Sequence, residues 1–100
     1  MLVVFSELKN ITPLIQTHAA LVSVAVINSE NSIVLSGEKT ALQAISDQCR
    51  ALKIETHPLT VTHAFHSPLM DPILAELEIS AKDATYHEPA LAFFSSLTGQ

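Results

Sequence analysis

Residues 21–37 read Leu21-Val22-Ser23-Val24-Ala25-Val26-Ile27-Asn28-Ser29-Glu30-Asn31-Ser32-Ile33-Val34-Leu35-Ser36-Gly37. Two runs rich in β-branched residues, Leu21–Asn28 and Ser32–Ser36, bracket the polar Ser29-Glu30-Asn31. Apolar runs of strand length joined by a short polar turn predict a β-hairpin. On its N-terminal side, Met1–Phe5 is a short apolar run and predicts a buried strand. Between the two, Leu8, Ile11, Leu14 and Ile15 recur at helical spacing after Ser6-Glu7. A proline deep in a helix costs ~3 kcal/mol but is nearly free in the first turn. Pro13 therefore predicts a regular helix beginning near Asn10 and running to about His18. On the C-terminal side, Gly37 ends the hairpin and a helix is predicted over Glu38–Lys53, with Ala41, Leu42, Ile45, Cys49 and Leu52 on one face. In Ile54–Phe65, Leu59, Val61 and Phe65 alternate with Thr60, Thr62 and Ala64, so the later part predicts a strand, with Pro58 marking an edge or bend. Strand, helix, strand, strand, helix, strand over residues 1–61 is the α+β, ferredoxin-like βαββαβ order, with helices on one face of an antiparallel sheet.

Residues 62–100 do not continue that pattern. Ser67-Pro68 and Asp71-Pro72 both read as helix starts, with the Ser67 side chain as a cap. Ile73, Leu74, Leu77 and Ile79 predict a helix to about Ala81. Tyr86–Pro89 reads as a connector and Leu91–Leu97 as a buried strand. Such a strand needs an external sheet to bury Phe93, Phe94 and Leu97, so the chain reads as cut from something longer.

Composition bounds the function classes. One hundred residues that are 48% hydrophobic and 15% charged make one domain at most and exclude intrinsic disorder. The apolar runs fall far short of the ~20 residues of a membrane helix, and no basic segment or cleavage site marks a secretory signal. The single Cys49 fits a reducing cytoplasm. Ten acidic residues stand against five scattered basic ones, a net charge of −5, which leaves no basic stripe for nucleic acid or an anionic membrane.

Five histidines are the candidates for chemistry. His18, at a helix end, and His87, in a connector, read as ordinary surface residues. His63 and His66 flank Phe65 just before a proline-started helix, where open α/β folds place functional groups. A metal site would have to recruit His57 and Cys49, and Cys49 lies on the helix face assigned to the core. Two histidines hydrogen-bonded to backbone, or a general base, are the other readings, and the residues alone leave them open.

A resemblance bears on that choice. Val22–Asn28, Ile33–Gly37 and His63-Ala64-Phe65-His66-Ser67-Pro68-Leu69-Met70 together resemble the acyltransferase domain of modular polyketide synthases. Phe94-Ser95-Ser96-Leu97-Thr98-Gly99 is similar to a Ser-Asn-Val-Thr-Gly-like strand of that family, with serine at 96 in place of asparagine. The resemblance implies a malonyl-CoA:acyl carrier protein transacylase type. Residues 1–61 would be its small ferredoxin-like subdomain, and residues 62–100 a helix-and-strand piece of its α/β-hydrolase-like large subdomain. It implies His66 as the catalytic histidine, taking the proton from a serine nucleophile and then from the carrier protein's phosphopantetheine thiol. His63 and Phe65 would be substrate-binding residues of a motif associated with malonyl rather than methylmalonyl units. A Phe65 ring leaves no room for a branch methyl, a discrimination of roughly 1–3 kcal/mol. The implied partners are an acyl carrier protein, the rest of the acyltransferase and neighbouring synthase domains, with malonyl-CoA as substrate and neither bound cofactor nor metal. The imidazole of His66 is expected to stay neutral beside the positive end of the following helix.

The family's Gly-His-Ser-x-Gly nucleophile elbow does not occur in the sequence, and Arg50 does not match its carboxylate-binding arginine. The chain alone is therefore expected not to turn over substrate. The alternatives are a free-standing ferredoxin-like module that binds a ligand or partner without catalysis, and a purely structural domain.

Overall fold

A computed structural model describes all residues 1–100. Four strands form one antiparallel sheet: β1 (Leu2–Val4), β2 (Val22–Ser29), β3 (Ser32–Gly37) and β4 (Thr56–Pro58). Helices α1 (Leu8–Gln16) and α2 (Lys39–Ala51) connect them, and the order across the sheet is β2-β3-β1-β4. β1 therefore sits inside, with Leu2 opposite Leu35 on one side and Pro58 on the other.

The period-2 pattern decides what is buried. Leu2 and Val4, Val22, and Ile33 and Leu35 meet Ile11 of α1 and Ala41, Leu42, Ile45 and Cys49 of α2 in one core on the helix side of the sheet. A fully buried Ile45 side chain contributes about 1.5–3 kcal/mol of transfer free energy. Burial pushes the Cys49 thiol up, as for a small core residue. Gly37 lets β2 start against the end of β3, since a Cβ there would lie 2.2 Å from the Leu21 carbonyl and 2.7 Å from Val22 Cα. Helix α2 is capped by Glu38, whose carboxylate accepts the Ala41 N–H at 2.9 Å and the Thr40 hydroxyl.

Several boundaries differ from the sequence expectation. Helix α1 begins at Leu8 rather than near Asn10, so Pro13 lies inside it. Pro13 has no N–H to offer the Lys9 carbonyl one turn back, and one residue before it the Thr12 hydroxyl donates to the Leu8 carbonyl at 2.8 Å. Leu52 caps α2 and is exposed instead of joining the core. The strand expected over Leu59–Phe65 does not form. β4 ends at Pro58, with the Leu59 N–H donating to the Met1 carbonyl at 2.9 Å, and residues 60–65 make no ladder with a neighbouring strand.

Beyond β4 the chain crosses the end of the sheet where β1 and β2 begin, then enters a 3₁₀ segment (Pro68–Ile73) and helix α3 (Leu74–Lys82). The Asp71-Pro72 start is absent as a cap: Ile73 occupies the N-cap of α3. The strand expected over Leu91–Leu97 is also absent. Leu91, Phe93, Phe94 and Leu97 are 66–92% exposed. No helix is long and apolar enough to cross a membrane.

Candidate active site

The site is built on the crossing segment. Its first half, Leu59–Ala64, faces α2 across an open cavity of about 590 Å³, whose polar lining includes Lys39, Gln43, Arg50, Thr60 and His63. His63 Nδ1 lies 3.0 Å from the Thr62 hydroxyl. Its ring packs obliquely on Phe65, with centroids 5.5 Å apart and planes at 44°. Neither Phe65 nor His66 lines the cavity.

His66 occupies the left-handed region, with φ 62°. A residue with a Cβ is disfavoured there, and such strain persists only where surroundings hold it. Two bonds do so. The Ser23 hydroxyl of β2 donates to the His66 carbonyl at 2.5 Å, across 43 residues of sequence. The buried Ser67 hydroxyl donates to the Ala64 carbonyl, also at 2.5 Å. Ser67 thus occupies the N-cap position expected of it but turns its side chain backwards, leaving no side-chain cap bond.

Strand alternation would have placed His63 and Phe65 on one face and His66 on the other. It does not apply, because no strand exists here and the left-handed residue redirects the chain. The structure brings His63 and Phe65 into contact and sets His66 on an adjoining tight turn, exposed to solvent. The expected helix dipole is weakened, because a six-residue 3₁₀ segment separates His66 from α3. His18 and His87 make no side-chain hydrogen bond, and His57 is exposed on β4. No three His, Cys, Asp or Glu side chains converge in a way that could hold a metal ion.

Sequence reasoning missed Ser23. The available signal was a hydroxyl set between the β-branched Val22 and Val24, on the face opposite them. An exposed imidazole on a braced turn is suited to taking and returning a proton. A catalytic hydroxyl or thiol is not in hydrogen-bond contact with it, the one bond of His66 to another side chain being through its carbonyl.

The acyl transferase domain family model matches residues 4–100, and the chain belongs to that family. In sequence it is 44% identical over 79 residues to the phenolphthiocerol synthesis polyketide synthase type I Pks15/1 of Mycobacterium marinum, which covers 79% of this chain and 4% of that protein. It is 42% identical over 82 residues to the mycoketide-CoA synthase of Mycobacterium tuberculosis, covering 82% of this chain and 2% of that protein. In structure it is similar to the acyltransferase domain from the second module of the salinomycin polyketide synthase, at a TM-score of 0.92 and 34% identity over 99% of this chain. The alignment takes in 24% of that domain, so the chain corresponds to about a quarter of a type I polyketide synthase acyltransferase domain.

Proposed function

We propose that the chain is the ferredoxin-like small subdomain, residues 1–61, together with the catalytic-histidine segment, residues 62–100, of an acyltransferase that loads malonyl units onto an acyl carrier protein. The observation that carries this reading is the braced left-handed turn at His66, directly after the packed His63–Phe65 pair. In this scheme His66 removes the proton of a serine hydroxyl supplied by the rest of the domain. The serine oxygen attacks the thioester carbonyl of malonyl-CoA, the C–S bond breaks, and the imidazolium returns the proton to the departing thiolate. The second half runs in reverse. His66 takes the phosphopantetheine thiol proton, the thiolate displaces the serine oxygen, and the imidazolium reprotonates it. Phe65 beside the acyl α-carbon disfavours a branch methyl. The remaining acyltransferase and neighbouring synthase domains are the structural partners.

In the complete acyltransferase domain, His66→Ala should lower transfer by roughly 10²–10⁴-fold. Phe65→Ser should lose less rate and admit methylmalonyl units. Competition between malonyl- and methylmalonyl-CoA, scored as acylated carrier protein by mass spectrometry, separates the two. Near-full activity of His66→Ala refutes the base, and an untouched malonyl preference in Phe65→Ser refutes the selector.

A further inference from the structure

We infer that Ser23 is a positioning residue for His66, acting from the sheet on the turn that carries the base; the inference rests on the reading of His66 as that base. Three observations converge. The conformation of His66 is one that a Cβ disfavours, so it must be held from outside (φ 62°). One of its two restraints is the Ser67–Ala64 bond, which closes the turn locally but does not orient it relative to the rest of the molecule. The other is the Ser23 hydroxyl, 43 residues away, which donates to the carbonyl of His66 itself.

Ser23 is a rigid donor. Val22, next to it, is 1% exposed and Val24 packs against the core, so the backbone that carries the hydroxyl is fixed on both sides. Ser23 also sits directly opposite Ser36 in the β2–β3 ladder. A hydroxyl has one proton to donate, and here it goes to the peptide carbonyl whose plane sets the direction of the chain after His66. Losing that bond frees the turn to relax out of the left-handed region, and the imidazole swings with it. A displacement of about 1 Å in a catalytic group is enough to lower rate by about 10²-fold. Neither Ser23 nor its bond touches a reacting atom, so the effect belongs in kcat and not in substrate affinity.

The test compares Ser23→Ala, Ser23→Thr and His66→Ala in the complete acyltransferase domain, each by kcat, KM and thermal unfolding. Ser23→Ala should lower kcat by about 10- to 100-fold with KM and unfolding midpoint little changed. Ser23→Thr keeps the hydroxyl on a residue suited to strands and should restore most of the rate. Full kcat in Ser23→Ala, or a loss that Ser23→Thr does not rescue, overturns the positioning role while a dead His66→Ala leaves the base in place. An active His66→Ala overturns both. If Ser23→Ala does not fold, Ser23→Cys, a closer match in volume and a weaker donor, is judged by the same kcat-against-KM split.

Discussion

Lys53 is the other non-glycine residue with a left-handed backbone, at φ 59°, and its setting differs from that of His66. It follows the C-cap of α2: Lys53 N–H bonds the Arg50 carbonyl at 3.0 Å and Ile54 N–H bonds the Cys49 carbonyl at 2.8 Å. That pair of bonds is a Schellman ending, with half-buried Ile54 packed back on the core that holds Cys49. Glycine is the residue such a position favours, so Lys53→Gly should stabilise the chain by about 0.5–1 kcal/mol, read as a raised midpoint in urea. An unchanged or lowered midpoint counts against the left-handed assignment. The same change at His66 would be a poor experiment, since it removes the imidazole along with the strain. The residue-scale features of the site were partly legible in the sequence. His63, Phe65 and His66 could be picked out from their spacing and resemblance. The left-handed turn could not, because nothing in a His-Ser-Pro string announces a positive φ when the restraint comes from a strand 43 residues earlier.

Among the elements, α2 was legible almost in full because its apolar face repeats at helical spacing and Gly37 precedes it. The hairpin was legible from two β-branched runs joined by the polar Ser29-Glu30-Asn31, of which the structure takes Ser29 into β2 and leaves Glu30-Asn31 as the turn. Leu59–Phe65 forms no strand, since alternating apolar residues describe a strand only when a neighbouring edge is there to pair with it, and the apolar run Leu91–Leu97, expected to need an external sheet, forms none within this chain. The start of α2 carries its own pH dependence. The Thr40 hydroxyl bond, then backbone bonds at Thr40 and Ala41, hold the Glu38 carboxyl below its ordinary value of 4.5. A lowered folded-state value means stability that is present above the ordinary value and lost as pH falls through the lowered one. Glu38→Ala should therefore melt below the parent chain at pH 7, with the gap narrowing as acid protonates the carboxyl. A gap that stays constant into acid would show that the ionised cap is not what stabilises this helix.

The molecule as a whole is extended, 50 × 30 × 23 Å, with a radius of gyration of 16.3 Å, against about 13 Å for a compact chain of this length. The excess lies in residues 74–100, none of which is buried, while the whole apolar core lies between Leu2 and Cys49. Stability should divide the same way. In hydrogen exchange on this chain, amides of β2, β3 and α2 should exchange by global opening, whereas those of Phe93–Leu97 should exchange almost freely. Equal protection of Phe93–Leu97 and Val24–Ile27 in a monomer would contradict the division.

The bond between Ser23 and His66 also fixes an order of events during synthesis. Closing a loop of 43 residues has an entropic cost that grows only slowly with its length, but its reward depends on both ends being in place. β2 leaves the ribosome well before residue 66, and the hairpin it forms with β3 relies on near-neighbour contacts that form quickly. The turn therefore docks onto a sheet that already exists. On the proposed reading of His66 as the base, its geometry is set only once the β2–β3 hairpin exists, and a folding defect in β2 would first be seen as a mis-set histidine in a protein that still looks folded.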